Sequence, residues 1–160
     1  MKTKELTIKY EILQEDELNE TERVLIEIAK NACSRSYSPY SHFKVGCGIL
    51  MMNEKIIESN NQENVAYPSG LCAERVGLFY AKSAYPQTAI KMLAIAAKDA
   101  KSFTKNPITP CGGCRQAMLE YASQQDTPIT LLLYGMLHIY KIYDIKELLP
   151  IQFDQHSFNL

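Results

Sequence analysis

Apolar and polar residues alternate along the first part of the chain, between residues 6 and 12. This period of two residues is typical of a half-buried strand. An amphipathic helix is predicted next, because Asn19 can cap a helix N-terminus and Glu22 follows three residues later. Its predicted apolar face consists of Val24, Leu25, Ile28, Ala29 and Ala32. Serines and a proline between residues 34 and 41 then indicate a loop.

The rest of the chain shows strand and helix patterns in turn. Residues 44–51 and 55–60 are predicted to be strands joined by a tight turn. A helix is predicted at 72–83, with Val76, Phe79 and Tyr80 at helical spacing. The later predicted elements are a buried central strand at 90–97, a helix at 114–121, strands at 129–134 and 138–143, and a short helix at 145–149. This alternation favours a layered α/β fold with helices on both faces of one sheet, and we expect one domain across residues 1–160.

The composition is that of an ordinary globular protein. The 160 residues (18.2 kDa) suffice for a real core, with 46% hydrophobic and 22% charged residues. A formal net charge of −1 gives no overall field that would attract nucleic acid or an acidic membrane surface. This balance favours a small, near-neutral ligand.

The N-terminus and the cysteines indicate the cellular compartment. The chain begins without a continuous apolar segment of the signal-peptide type, and no stretch reaches the ~18 apolar residues of a membrane span. Five cysteines without an export signal favour reduced thiols. We therefore expect a cytoplasmic protein with no membrane partner.

Three cysteines in two segments are the candidate metal ligands. Cys72 lies in Leu-Cys-Ala-Glu-Arg, and Cys111 and Cys114 lie in Pro-Cys-Gly-Gly-Cys-Arg. Each segment is predicted to open a helix, whose N-terminus favours the thiolate form of cysteine. A catalytic zinc ion takes three protein ligands and leaves its fourth position to water. With Glu74 two residues after Cys72, the pattern predicts a zinc-activated water with a proton shuttle beside it.

Arg75 follows Glu74 directly and is predicted to contact the metal ligands without binding the metal itself. Three thiolates leave a zinc site negatively charged, which weakens its power to acidify water. Arg75 would offset this charge by donating hydrogen bonds to a cysteine sulfur. The alternative is a solvated arginine on the helix surface.

Other interpretations of the cysteines stay open at this point. A Cys-x-x-Cys pair also occurs in redox proteins and in structural zinc sites. A structural module would need a fourth protein ligand, such as Cys33, Cys47 or a histidine. The histidines, which we expect to be structural or solvated, are His42, His138 and His156. The Cys-Ala-Glu element favours catalysis, because zinc deaminases combine three cysteines with a nearby glutamate.

Several segments together resemble the small zinc-dependent cytidine deaminases that act on free nucleosides. The resemblance begins in Tyr-Ser-Pro-Tyr-Ser-His-Phe-Lys-Val-Gly at residues 37–46 and continues in Asn-Gln-Glu-Asn-Val-Ala-Tyr at residues 61–67. It includes both cysteine segments and ends with Glu-Leu-Leu-Pro at residues 147–150 and with Phe153. Residues 1 to 20 fall outside it, and their alternating segment is expected to add an edge strand or to pack at a subunit interface.

The resemblance implies a three-layer sandwich with a mixed central sheet. It also implies hydrolytic deamination of cytidine or 2′-deoxycytidine to the uridine product and ammonia, with Zn²⁺ as cofactor. Cys72, Cys111 and Cys114 match the zinc ligands of the family, and Glu74 matches its proton shuttle.

The resemblance further implies how a pyrimidine nucleoside is bound. Asn61 and Glu63 match the pair that holds the ribose hydroxyls, which suits the hydrogen-bonding capacity of an amide and a carboxylate. Phe43 matches an aromatic residue that packs against the substrate. Residues expected to act across a subunit boundary of a homotetramer are Val65, Tyr67 and Phe153. The family often continues with Gly-Pro after the last of these, whereas this chain has Asp154-Gln155.

Two other classes of substrate are alternatives to cytidine and 2′-deoxycytidine. The altered C-terminal tail leaves room for a modified nucleoside, such as a blasticidin-type antibiotic. An enzyme that edits nucleic acid would need a basic channel, and only Lys98, Lys101 and Lys105 form a loose basic group. A solvated loop explains those lysines equally well, so no nucleic-acid partner is expected.

Overall fold

Six strands form one mixed sheet in a computed structural model that describes residues 1–154 and 158. The strands are β1 (Glu11–Leu13), β2 (Lys44–Met51), β3 (Ile56–Asn60), β4 (Ile90–Lys98), β5 (Thr130–Tyr134) and β6 (Ile139–Ile142). The α-helices among these residues are α1 (Glu20–Ala32), α2 (Ala73–Ala84) and α3 (Gly112–Ala122). A 3-10 turn at Ile145–Leu148 follows β6, where a short helix was predicted.

The strand order is β1-β6-β5-β4-β2-β3. The pair β4 and β5 is parallel, and every other neighbouring pair is antiparallel. The predicted mixed sheet is therefore confirmed. The apolar run predicted as a central strand is β4, which lies between β5 and β2 in the middle of the sheet.

Helices cover both faces of the sheet, as predicted for a three-layer sandwich. Alternate residues of β4 point to opposite faces because the side-chain period of a strand is two. Ala94 packs in the cluster that includes Leu25 of α1. Leu93 packs in the opposite cluster, which contains Leu78 of α2 and Met118 of α3. The cysteine segments belong to the second of these layers, at the N-terminal ends of α2 and α3.

The predicted cap of α1 is confirmed. The Asn19 side chain accepts a hydrogen bond from the Glu22 backbone N–H (3.0 Å), and the Glu22 side chain accepts one from the Asn19 backbone N–H (3.1 Å). This reciprocal pair is a capping box, which satisfies backbone donors that the first helical turn leaves without partners.

The predicted helix faces are partly wrong. In α1, Val24 is exposed and Ile26 is buried. The stripe that packs on the sheet contains Glu22, Ile26 and Ala29, so the helix is rotated about its axis relative to the prediction. In α2, Phe79 and Tyr80 are exposed, and the buried residues are Ala73, Glu74, Gly77, Leu78 and Ala81. Periodicity located both helices but did not identify which stripe packs on the sheet.

The alternating N-terminal segment forms an edge strand over only part of its length. β1 pairs antiparallel with β6, from Glu11 opposite Lys141 to Leu13 opposite Ile139. The ladder does not extend back to Leu6, because β6 ends at Ile142 and offers no further partner. The side chains of Leu6 and Ile8 are exposed.

Gly46 in β2 allows α1 to pack closely on the sheet. A Cβ atom at this position would lie 2.0 Å from the backbone oxygen of Ala29 and 2.8 Å from the backbone nitrogen of Cys33. Neither backbone atom can rotate away, so a side chain here would push the helix off the sheet.

We therefore expect Gly46→Ala to destabilise the protein by about 1–3 kcal/mol, the usual cost of forcing extra atoms into a packed core. Thermal unfolding measures the effect. Gly113→Ala is the matched control, since a Cβ there meets no atom within 4 Å. Equal melting temperatures for the two variants would show that the contact between α1 and β2 is not tight.

Within residues 1–154 and 158, no helix has the length and the apolar character that crossing a membrane requires.

Candidate metal centre and substrate cleft

The three predicted metal ligands converge at the N-terminal ends of two helices. Cys72 is the N-cap residue of α2, Cys111 is the N-cap residue of α3, and Cys114 lies in the first turn of α3. Their sulfur atoms all lie within 4.8 Å of one another, and the Cys72 and Cys111 sulfurs are 3.9 Å apart. Cys72 and Cys111 are 39 residues apart in sequence, so tertiary packing of α2 against α3 brings them together.

The cluster concentrates negative charge on sulfur. Hydrogen bonding from Cys114 lowers the pKa of Cys72 to about 5, and Cys111 and Arg75 contribute in the same direction against the effect of burial. The pKa of Cys114 is raised, because its thiol donates to Cys72 and is desolvated by burial. The surroundings of Cys72 thus favour its thiolate form.

The donor set fits zinc. Zinc–sulfur bonds of about 2.3 Å in a tetrahedral site place neighbouring sulfurs about 3.8 Å apart. The separation of 3.9 Å between the Cys72 and Cys111 sulfurs agrees with this value. Within the described residues, the side chains that could hold one ion together are these three thiols. A tetrahedral ion held by them would keep one position open.

The other cysteines lie away from the cluster. Cys33 is buried in the layer of α1, where its thiol is 3.5 Å from the Ala29 oxygen and 3.4 Å from the Ala96 oxygen. Cys47 is buried in the core on the opposite face of the sheet, and burial raises its pKa well above the ordinary value. Neither completes a four-ligand structural site. Of the histidines weighed as a fourth ligand, His156 lies outside the described residues.

Glu74 is buried beside the sulfur cluster. It lies in the first turn of α2, two residues after Cys72, and only 5% of its surface is exposed. Burial raises the pKa of Glu74, and the negative charge of Cys72 adds to the effect. A raised pKa makes the carboxylate a stronger proton acceptor, a property that a purely structural metal site does not require.

Arg75 faces the sulfurs from the cleft. Burial acts to lower the pKa of Arg75, but interactions with Cys72 and Cys114 outweigh it and raise the pKa. The Nε atom of Arg75 is buried and has no hydrogen-bond partner among the described residues. The hydrogen bond between the Arg75 guanidinium and Cys72 fits the prediction that Arg75 offsets the charge of the thiolates, a role that stays a prediction.

A cleft of about 520 Å³ opens beside Cys72 and Arg75. Its other lining residues are Tyr40, Ser41, Asn61, Gln62, Glu63, Asn64, Tyr67, Gly70 and Leu71. The structure therefore brings three predicted substrate-binding residues, Asn61, Glu63 and Tyr67, to the same cleft as a metal ligand. The volume lies within the range of small-molecule sites.

The side chains of Asn61 and Glu63 are already held by hydrogen bonds. The Asn61 Oδ1 atom accepts from the Val45 backbone N–H (2.8 Å) and from Ser36 Oγ, while Nδ2 donates to the Phe43 oxygen (3.0 Å). The Glu63 carboxylate accepts from the loop at residues 40–41. Both side chains are therefore oriented before any ligand binds.

Three other predicted residues do not line the cleft. Phe43 is half-buried just before β2. Val65 is 78% exposed, and the Phe153 ring is exposed next to Phe158, with ring centroids 5.3 Å apart. Gln116 of α3 donates a hydrogen bond to the Phe153 oxygen (2.8 Å). The roles expected for Val65 and Phe153 require a second subunit and stay predictions, as does the role of Phe43. Gln155, part of the departure in the tail, lies outside the described residues.

Sequence reasoning missed several residues around the site. Tyr40 and Ser41 line the cleft, but nothing in their local pattern distinguishes them from a solvated loop. Arg115 was also missed. Its guanidinium donates to the Pro110 oxygen (2.9 Å) and the Leu148 oxygen (3.3 Å), which ties the segment before Cys111 to the turn after β6.

The fold and the site together have the features of a zinc-dependent hydrolase. A three-layer sheet sandwich presents three thiols and Glu74 at adjoining helix N-termini, with a substrate-sized cleft beside them. Comparison with known proteins agrees with this class. Residues 19–127 match the family model described as the cytidine and deoxycytidylate deaminase zinc-binding region.

Individual relatives extend the match over most of the chain. The chain is 37% identical over 139 residues to a cytidine deaminase of Halalkalibacterium halodurans, covering 86% of this chain and 97% of that protein. It is similar to the crystal structure of a cytidine deaminase from Burkholderia pseudomallei, with TM-score 0.71 and 33% identity over 85% of this chain and all of that one. A cytidine deaminase from Mycobacterium tuberculosis gives TM-score 0.62 and 26% identity, over 81% of this chain and 94% of that one. The chain therefore belongs to the zinc-dependent cytidine deaminase family and is an aminohydrolase.

Proposed function

We propose that this enzyme deaminates cytidine and 2′-deoxycytidine hydrolytically, releasing ammonia and the corresponding uridine nucleoside. The observation that carries the proposal is a single cleft that joins a ligand of the sulfur cluster, Cys72, to the polar pair Asn61 and Glu63. The cluster and Glu74 supply chemistry, while the pair supplies hydrogen bonds to a sugar. The names of the relatives support the same substrate class.

Cys72, Cys111 and Cys114 would hold the zinc ion. Zinc bound there lowers the pKa of water and so supplies a nucleophile at neutral pH. Glu74 would accept a proton from the attacking water and pass it to the ring nitrogen N3, and would then carry the proton of the new C4 hydroxyl to the departing amine. Its burial suits this shuttle, because desolvation raises the pKa of Glu74 and so makes the carboxylate a stronger proton acceptor.

Asn61 and Glu63 would bind the ribose. The Glu63 carboxylate can accept the proton of a sugar hydroxyl, and the remaining N–H of Asn61 can donate to its oxygen. These contacts do not touch the reacting carbon, but fixing the sugar positions the base over Glu74. Phe43 is proposed to pack against the substrate, as in the family that the sequence resembles.

A free nucleoside suits the cleft better than a polynucleotide. The charged residues that line it are Glu63 and Arg75, one of each sign. Lys98, the first of the loose basic group, does not line the cleft and lies over the Phe103 ring instead, 5.5 Å from its centroid. A strand of nucleic acid would need a continuous basic groove.

We also propose that the enzyme acts in the cytoplasm, in pyrimidine salvage, as a homotetramer. Exposed apolar side chains near the metal centre support self-association, since large apolar surfaces favour contact with a partner. They include Tyr67 (77% exposed), Phe79 and Phe153. In such an assembly, Val65, Tyr67 and Phe153 would contribute to a neighbouring subunit's site.

Product analysis tests the proposed substrate. The purified enzyme should convert cytidine and 2′-deoxycytidine to uridine products and ammonia, with little action on single-stranded RNA. Rapid turnover of blasticidin without turnover of cytidine would favour the modified-nucleoside alternative instead. Conversion of cytidine to uridine within intact RNA would contradict the assignment to free nucleosides.

A further inference from the structure

A short loop before β2 holds the Glu63 carboxylate at three points. The backbone N–H groups of Tyr40 and Ser41 donate to Glu63 Oε2, at 2.9 and 3.3 Å. The hydroxyl of Ser41 donates to Oε1. Two of the three bonds come from one residue, and one of these uses its side chain. The position of Glu63 thus depends on Ser41.

The direction of the Ser41 hydroxyl bond follows from its surroundings. Ser41 Oγ accepts a hydrogen bond from the Phe43 backbone N–H (3.0 Å), so its single proton is free for Glu63. The hydrogen bond from the Ser41 hydroxyl to Glu63 is the largest of the effects that lower the pKa of Glu63. The serine hydroxyl therefore favours the ionised form of the carboxylate and also orients it.

The backbone holds this loop against the segment that contains Glu63. Tyr37 N–H donates to the Asn61 oxygen (3.1 Å), and Glu63 N–H donates to the Tyr37 oxygen (2.8 Å). His42 has a left-handed backbone (φ 56°), and its N–H donates to the Ser38 oxygen (3.0 Å), which closes the loop. Ser41 is consequently presented to Glu63 from a fixed turn.

The hydrogen-bonding positions left free on Glu63 and Asn61 match one sugar hydroxyl. A carboxylate has about four acceptor positions, and three on Glu63 are filled. Both lone pairs of Asn61 Oδ1 and one of its two N–H groups are also used. One acceptor position and one donor are left, which suit the proton and the oxygen of a hydroxyl group.

We propose that Ser41 is a positioning residue that sets the recognition of the ribose by Glu63. This inference rests on the proposed function, because it takes the ligand of the cleft to be a nucleoside. Without the serine hydroxyl, Glu63 Oε1 loses its partner and the carboxylate can rotate away from the sugar. The chemistry at Glu74 is unaffected.

The test compares cytidine with 2′,3′-dideoxycytidine, which lacks the 2′ and 3′ hydroxyls of the ribose and keeps the 5′ hydroxyl. In the wild-type enzyme, kcat/KM should be much higher for cytidine. Ser41→Ala should lower this preference by roughly 10- to 100-fold, the scale of a misplaced positioning contact. KM for cytidine should rise while kcat changes little. Ser41→Thr, which keeps the hydroxyl, should restore most of the preference.

Two controls separate positioning from a general loss of structure. Ser34→Ala removes another surface hydroxyl, one that donates to the Asn31 oxygen (2.7 Å), and should leave the preference unchanged. In a Glu63→Ala background, Ser41→Ala should have no further effect on the preference, because both changes remove the same hydrogen bond. An equal loss for both nucleosides in Ser41→Ala would overturn the inference. Failure of the wild-type enzyme to deaminate cytidine would instead overturn the proposed function, and the inference with it.

Discussion

Replacing Glu74 with glutamine should lower kcat for cytidine by at least about 10³-fold, within the range that positioned acid–base groups contribute. Glutamine has nearly the same size and can occupy the same buried position, but it cannot take up and release a proton. Zinc content should stay at the wild-type level, because the three thiols and not Glu74 form the metal cluster. Steady-state rates and metal analysis on the same sample measure both quantities.

The matched control for Glu74 is Glu120, an exposed carboxylate on α3 whose side chain accepts a hydrogen bond from Gln124. Glu120→Gln should keep both the rate and the zinc. An unchanged rate in Glu74→Gln would remove Glu74 from the mechanism. Loss of zinc from that variant would make it a ligand instead.

Replacing Cys111 with alanine should produce the second large effect. Partners that only orient metal ligands are commonly worth 10- to 100-fold in affinity, so loss of a ligand should cost more than about 100-fold. The variant should lose its zinc on dialysis, and its activity with it. Cys111 is exposed, so the change leaves the hydrophobic core intact. Metal analysis and cytidine turnover after dialysis check the prediction.

Cys33→Ala is the matched control for Cys111. Cys33 is a buried thiol in the layer of α1, outside the sulfur cluster. This variant should lose some thermal stability, because it leaves a small space in the core. It should nevertheless retain its zinc. Loss of zinc from Cys33→Ala would indicate that it is a ligand after all, as the structural-module interpretation requires.

The elements that sequence analysis located best are those with strong local patterns. The apolar run at residues 90–97 predicted the central strand, which spans Ile90–Lys98, and Asn19 with Glu22 predicted the start of α1. The segment from Leu6 was predicted too long as a strand, because its length depends on β6. A partner strand far along the chain leaves no signal in the local alternation.

The site shows the same difference between residues with a local sequence pattern and residues whose role depends on distant contacts. Cys72, Glu74 and the Cys-x-x-Cys pair carry a recognisable chemical pattern, so the metal centre could be predicted before any coordinates. Asn61 and Glu63 lie in a polar stretch that periodicity would assign to a solvated turn, and only the family resemblance identified them. Ser41 could not be found in either way, because its contact with Glu63 joins residues 22 positions apart.

Zinc-dependent deamination of cytidine is tested by following cytidine loss by absorbance alongside the zinc content of the same preparation. This function predicts one zinc per chain, loss of turnover when a chelator removes the metal, and recovery when zinc alone is restored. A protein that carries a full complement of zinc but leaves cytidine unchanged would contradict it, as would full activity after the metal is removed.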